Sequence, residues 1–234
     1  MANPFFQFKQ FSVNHNRCAM KVGTDGVLIG AWSEIRNAKS ILDVGAGSGL
    51  VSLMLAQRSD DHITGIELDD SAANQAIENV SASPWSHRIS IICGDFLHYH
   101  TDLRFDLIVS NPPFFEQSLL PPDAKRTSAR HTETLSYETL LQKSVELLAL
   151  SGRISLIVPA DKEFYITNLA KKIDLHPARI CYVLPTPDTL PKRLLIEFSL
   201  EERPVQTSQL IIETSRHHYS EEYIALTKHF YLKM

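Results

Sequence analysis

Ser40-Ile41-Leu42-Asp43-Val44 is followed at once by Gly45-Ala46-Gly47-Ser48-Gly49, and then by the apolar run Leu50 to Gln57. The first five residues read as a buried strand and the last run as a helix, a strand, glycine loop, helix unit. Glycines in such a loop let the main chain turn tightly and approach a ligand closely, and the helix start offers unpaired amide hydrogens. A GxGxxG dinucleotide fingerprint would need glycine at position 50, which is Leu50, so this GxGxG variant points away from a nicotinamide. Ile63-Thr64-Gly65-Ile66-Glu67 reads as a second strand ending in a carboxylate. It comes about 20 residues after the loop, the position from which ribose hydroxyls are bound, so Glu67 is a ribose candidate.

The neighbouring segments extend this pattern in both directions. Upstream, Val27 to Ile35 reads as a helix leading into the first strand, with Asp25 near its start. Before it, residues 1 to 26 are dense in Phe5, Phe6, Phe8, Lys9, Phe11, His15, Arg17 and Lys21. Such rings either pack as an arm on the domain or grip a partner. Downstream, Asp70 to Ala82 reads as a helix capped by Asp70 or Ser71, with Ala72, Ala73, Ala76, Ile77 and Val80 on its apolar face. Ile89 to Cys93 is a third strand ending in Gly94-Asp95-Phe96, an acid and an aromatic suited to the edge and face of a purine. Arg104 to Val109 is a fourth strand, and it delivers Ser110-Asn111-Pro112-Pro113-Phe114-Phe115 to the carboxyl edge of the sheet. Neither proline donates a main-chain hydrogen bond and the first restricts the residue before it. The carbonyls of Ser110, Asn111 and Pro112 are then held stiffly beside an amide and an aromatic ring, a clamp for a planar amino group. A strand-ending turn uses the same residue types.

The 116–136 segment is long and irregular, and Lys125, Arg126, Arg130 and His131 make it locally basic. It suits either a lid with phosphate contacts or a solvated loop. Tyr137 to Leu150 reads as a helix, Arg153 to Val158 as strand five, and Asp161 to Ile173 as a helix. Arg179 to Leu184 and Leu194 to Leu200 should pair as an antiparallel hairpin, because 185–191 is too short for a crossover. Leu210 to Glu213 suits a further short strand, and Ser220 to Leu232 a closing helix.

At 234 residues with 44% hydrophobic content, the chain suits one large domain. A net charge of −4 supplies no global positive field, so any polyanion must be met by local patches. The three cysteines are far apart and lack zinc or dithiol spacing, and the histidines lack HExxH spacing, so no metal is expected. Met1 to Gln10 has no apolar signal core, and no run approaches the ~18 apolar residues of a membrane span, so a cytoplasmic protein with no membrane partner is expected.

Five parallel strands and a hairpin, with a glycine loop after strand one and an acid after strand two, resemble the class I S-adenosylmethionine methyltransferases. That resemblance implies an α/β, Rossmann-like fold over nearly the whole chain, a mostly parallel seven-stranded sheet of order 3-2-1-4-5-7-6 with strand 7 antiparallel. It implies S-adenosyl-L-methionine as cofactor. Asp43, Gly45, Gly47 and Gly49 would hold its methionine and ribose parts, Glu67 both ribose hydroxyls, and Asp95 with Phe96 the adenine. Asn111-Pro112-Pro113-Phe114 fits the NPP(Y/F) signature of amino-group methyltransferases. There Asn111 and Pro112 accept the two amine hydrogens and Phe114 stacks on the plane, with Asn111 also beside the cofactor.

Phe8-Lys9-Gln10-Phe11, His15, the 17–26 run from Arg17 to Gly26, Ser110 to Phe115 and Arg130-His131-Thr132 are together similar to the bacterial tRNA(Val) adenine-N6 methyltransferases. These act on the adenine 3′ of the anticodon. The implied partner is the anticodon loop of a valine tRNA; a monomer is expected, although no residue pattern fixes the oligomeric state. Residues 1–26 would form an arm closing over the cofactor, with Lys21, Thr24 and Asp25 on the cofactor side. Lys9, Arg17, Lys125, Arg126, Arg130, His131, Lys192 and Arg193 would meet the RNA. Alternatives are the same chemistry on an rRNA guanine amine or a protein glutamine, a non-catalytic RNA-binding module on this fold, and a nicotinamide oxidoreductase. Intact Asn111, Glu67 and glycines weigh against the module, Phe114 in place of Tyr against glutamine, and Leu50 against the oxidoreductase.

Overall fold

The computed structural model describes residues 3–113 and 135–233. An antiparallel hairpin comes first, β1 (Phe5–Gln7) and β2 (Ser12–Asn14), followed by α1 (Thr24–Trp32). The alternating body is β3 (Ser40–Val44), α2 (Leu50–Arg58), β4 (His62–Glu67), α3 (Asp70–Ser81), β5 (Ile89–Cys93) and β6 (Phe105–Ser110). After the undescribed stretch come α4 (Tyr137–Leu147), β7 (Leu148–Pro159), α5 (Glu163–Lys171), β8 (His176–Leu184), β9 (Arg193–Ser199) and β10 (Gln206–Ile211). A small hairpin, β11 (Glu213–Ser215) and β12 (His218–Tyr219), and α6 (Glu221–Thr227) complete it.

The main sheet has order β10-β8-β9-β7-β6-β3-β4-β5. Counted from β3, this is the expected 3-2-1-4-5-7-6 with an eighth strand, β10, added parallel to the outer edge of β8. β9 runs antiparallel to both β7 and β8, the latter through the expected hairpin. The central strands are covered on both faces, which is why they read as unbroken apolar runs. Ile154, Leu156 and Val158 of β7 and Leu194, Ile196 and Phe198 of β9 enter one core. Ile157 and Leu195, one residue out of phase, enter the other. Each such side chain contributes roughly 1.5–3 kcal/mol on burial.

Several boundaries differ from expectation, each for a local reason. α1 spans 24–32 rather than 27–35, and it stops at Ser33, whose Oγ donates to the Ile29 carbonyl at 2.8 Å. Asp69, not Asp70 or Ser71, caps α3, accepting from the Ala72 N–H at 2.8 Å. That helix buries Gln75 and Asn79 while Ile77 stays exposed. α4 ends at Leu147 because Leu148 already pairs with Phe105 at the start of β7. α5 is preceded by a 3₁₀ turn, Ala160–Lys162, and both α5 and α6 are shorter than the runs suggested. The extra strand is 206–211 rather than 210–213. Phe114, Lys125, Arg126, Arg130, His131 and nearly all of 116–136 lie outside the described residues.

Of the N-terminal rings, Phe8 and Phe11 are core and Phe6 packs against it, while Phe5 is exposed. Phe8 stacks on Phe11 with centroids 4.7 Å apart and on Tyr231 at 5.8 Å. The Lys9 N–H donates to the Phe230 carbonyl at 2.8 Å and its Nζ to the Lys228 carbonyl at 2.6 Å. Lys9 is thereby committed to the fold's far end. No helix among the described residues is long and apolar enough to cross a membrane.

Candidate active site

The carboxyl ends of β3, β4, β5 and β6 converge on a cavity of about 530 Å³. The glycine loop forms its floor. The Gly45 and Ala46 N–H groups donate to the Ile66 carbonyl at 2.9 and 3.0 Å, fastening the loop to the end of β4. Beneath it, buried Asp43 accepts from the Ser52 N–H at 2.9 Å and from Ser52 Oγ at 2.6 Å, pinning the first turn of α2 to β3. Burial pushes the Asp43 carboxyl up to about 6, against the opposing pull of the Ser52 bonds. Asp43 therefore supports the loop from below and does not line the cavity.

Glu67, at the end of β4, is held by two main-chain donors: Gly47 N–H to Oε2 at 2.7 Å and Asp69 N–H to Oε1 at 2.9 Å. Its remaining lone pairs are available on the cavity side. The Gly94 N–H donates to the Glu67 carbonyl at 2.8 Å, joining the ends of β4 and β5. Asp95 accepts from the Leu97 N–H at 2.9 Å and lies 3.1 Å from His98 Nδ1, so it organises the short turn that presents buried Phe96. At β6, Ser110 Oγ donates to the Val44 carbonyl at 2.7 Å, setting Asn111 beside the glycine loop. Asn111 and Pro113 line the cavity, and Pro112 between them is buried.

The fourth wall is Arg17 to Met20, and two amides on α3 hold it there. Asn79 accepts from the Asn14 N–H at 2.9 Å and donates to the Asn14 and Ser48 carbonyls, each at 2.8 Å. Gln75 accepts from the Arg17 N–H at 2.9 Å and donates to Asn16 Oδ1 at 2.8 Å. His15 is used on both ring nitrogens, Nε2 at 3.0 Å from the Asn3 carbonyl and Nδ1 3.3 Å from the Val22 N–H. The Cys18 thiol is pushed up to about 11 by burial and by the nearby Glu67 and Asp69 charges. The signal for Gln75 and Asn79 was two amides one helical turn apart on an otherwise small, apolar face.

The structure thus brings Gly45, Gly47, Glu67, Asp95, Phe96, Asn111 and Arg17 to one cavity. Arg17 also pairs with Glu78. Lys21 and Thr24 are exposed and do not line the cavity, and Asp25 accepts from Arg193 Nε at 2.8 Å. Gly49, with φ of +80°, caps α2. A Cβ added at Gly47, where φ is +56°, meets nothing within 4 Å, so glycine there leaves open space at the cavity floor. That cradle, the Glu67 carboxylate and the apolar side chains of Met20, Leu68 and Phe96 fit a nucleoside carrying a small polar tail.

Residues 22–174 match the model of the methyltransferase small domain. A curated relative from Bacteroides fragilis, a tRNA1(Val) (adenine(37)-N6)-methyltransferase, is 48% identical over 237 residues, covering 100% of both chains. Among solved structures, a predicted O-methyltransferase from Agrobacterium tumefaciens superposes with a TM-score of 0.69 at 18% identity, covering 88% of this chain and 96% of that one. The glycopeptide N-methyltransferase MtfA, complexed with S-adenosylmethionine, superposes with a TM-score of 0.57 at 12% identity, covering 77% and 100%.

Proposed function

We infer the reaction from kinship: the chain belongs to the methyltransferase small domain family and, along its whole length, to the tRNA1(Val) (adenine(37)-N6)-methyltransferases. It transfers a methyl group from S-adenosyl-L-methionine to the N6 amine of adenine 37 in the anticodon loop of a valine tRNA. It does so as a single-domain cytoplasmic monomer, with residues 1–26 closing over the cofactor and 116–136 serving the substrate. The observation that carries this reading is the placement of Asn111 on the wall of the cavity whose floor is the glycine loop and whose lining includes Glu67, Asp95 and Phe96.

When bound, the cofactor supplies an electrophilic methyl group. The chain's own residues do the rest. Gly45 and Gly47 admit the tail, Glu67 takes the ribose hydroxyls, and Asp95 and Phe96 take the base. An exocyclic purine amine is a poor nucleophile because its lone pair is delocalised into the ring. The Asn111 amide oxygen and the Pro112 carbonyl accept its two hydrogens, favouring the pyramidal form that attacks. They also stabilise the positive charge that develops on nitrogen, with preorganised dipoles and proximity as the working terms. Phe114 is assigned the base platform from the sequence. An anticodon-loop adenine is already partly unpaired, so presenting it costs less than flipping a base from a duplex.

Asn111→Ala should lower kcat on a valine tRNA transcript by at least ~10²-fold, as loss of one transition-state dipole does. Affinity for S-adenosylhomocysteine should persist. Lost cofactor affinity with normal turnover would overturn the assignment. Mass spectrometry of the product nucleosides reports the acceptor: N6-methyladenosine is expected, and its absence from the valine tRNA would overturn the substrate.

A further inference from the structure

Beyond Asn111, the carboxyl edge of the sheet carries a second feature that the chemistry does not use. β7 lies beside β6 in parallel register, with Ser110 level with Leu156, so the chain leaving β7 at Pro159 emerges next to Asn111-Pro112-Pro113. β9 lies on the other side of β7, with Arg193 opposite Pro159. Ala160 N–H donates to the Lys192 carbonyl at 3.3 Å, so these segments form one continuous ledge. At about 4.8 Å per strand, the ledge extends on the order of 10 Å from Asn111.

The first turn of α5 stands on this ledge and exposes two rings. Phe164 is 80% exposed and Tyr165 50%. Both are rigidly based. Ile166, Leu169 and Ala170 bury the opposite face of α5, and Glu163 accepts from Tyr182 Oη at 2.7 Å on the β8 side. On the other side Tyr165 meets Tyr137 edge-on, with centroids 6.4 Å apart. Lys162 precedes the rings in the chain, exposed Lys192 sits on the ledge beside Ala160, and Leu190, in the loop before Lys192, is 83% exposed. A lone exposed ring needs no explanation, but two neighbouring rings with an exposed leucine nearby form a patch of the kind that marks a contact surface. The surface lies on the same edge of the sheet as Asn111 and combines flat rings with Lys162 and Lys192, the acids beside them being Asp161, which is exposed, and Glu163, which Tyr182 engages. Rings with cations are the composition of a single-stranded nucleic acid platform.

We propose that Phe164 and Tyr165 stack on unpaired nucleotides flanking the target adenine, with Lys162 and Lys192 meeting their phosphates. This rests on the tRNA reading given above and names residues that read the loop around the reacting base. The occupant is unpaired RNA rather than a protein, because the rings stand on the same edge as the reacting amine, about two strand spacings away.

The test is binding of labelled anticodon stem-loop RNA by fluorescence anisotropy at fixed salt, with S-adenosylhomocysteine affinity and thermal midpoint measured alongside. Phe164→Ala should weaken RNA binding roughly 5- to 150-fold, the range of one lost base stack, and raise KM for tRNA with kcat nearly unchanged. Phe164→Trp should restore affinity and Phe164→Leu should not. Lys192→Ala should reduce the salt slope by about 0.7. Wild-type affinity in Phe164→Ala, or in Phe164→Leu, would overturn stacking while leaving the methyltransferase reading intact. Failure of the wild-type protein to bind the stem-loop would overturn both. If Phe164→Ala changes only a concentration-dependent mass of the protein, the face belongs to contact between copies and the proposal falls.

Discussion

Asn79 joins three parts of the molecule that are far apart in sequence, and its removal can be costed from the bonds it makes. Its amide accepts one hydrogen bond from Asn14 and donates to the Asn14 and Ser48 carbonyls, all between 2.8 and 2.9 Å and almost wholly buried. Asn79→Ala removes three bonds worth about 1 kcal/mol each and leaves one donor and two acceptors without partners. A loss of roughly 3 kcal/mol follows, or about 6–12 °C in the midpoint of a domain this size. Cofactor affinity should fall further than stability alone accounts for, because Asn79 holds both the glycine loop and the segment leading to the Arg17–Met20 wall. Calorimetric titration with S-adenosylhomocysteine, well below the midpoint, separates the two effects. Asn79→Asp should be no better, since a carboxylate cannot donate to two carbonyls. Wild-type cofactor affinity in a folded Asn79→Ala protein would refute the idea that this side chain organises the site.

Two glycines in the loop should respond differently to alanine. Both Gly47 and Gly49 carry positive φ, which costs a side chain about 1–2 kcal/mol. At Gly49 the new methyl also meets Ala76 Cβ at 3.3 Å, whereas at Gly47 it enters open space. Gly49→Ala should therefore lower the thermal midpoint more, and Gly47→Ala should lower cofactor affinity more; the reverse ranking would contradict the cradle. Phe8→Ala should cost roughly 3–5 kcal/mol in urea unfolding, as for a large ring removed from a core; a loss under about 1 kcal/mol would mean the hairpin is peripheral. Asp43, at about 6, binds its proton more tightly in the native chain than unfolded, so its contribution to stability declines as pH rises from about 4 through about 6. The stability difference, Asp43→Asn minus wild type, should rise across that window, and a flat difference would refute the burial argument.

The parallel strands were legible because each is buried on two faces and so reads as a solid apolar run, and the glycine loop because its backbone needs no side chains. The site residues at strand ends were legible for the same reason, since the sheet's direction assigns them to one edge. What was hidden depended on tertiary partners. β10 reads Gln206-Thr207-Ser208-Gln209, and pairing with β8 rather than apolar patterning makes it a strand. Leu148 to Leu150 suit a helix, yet pairing with the start of β6 draws Leu148 into the sheet. Asp69, Asp70 and Ser71 are all good caps, and only the geometry chooses Asp69. Asp25 looked free for a ligand until the fold brought Arg193, 168 positions away, to its carboxylate.

The hairpin that leads into the cavity's fourth wall is itself anchored by residues 228–231, through Lys9 and Phe8. Lys9 and Lys228 are 219 positions apart, so the segment carrying this wall is steadied by contacts of very long sequence separation. Such contacts repay the entropy of closing their loop only once both ends are in place, so this part of the fold should form later than the local strand, loop and helix units of the sheet.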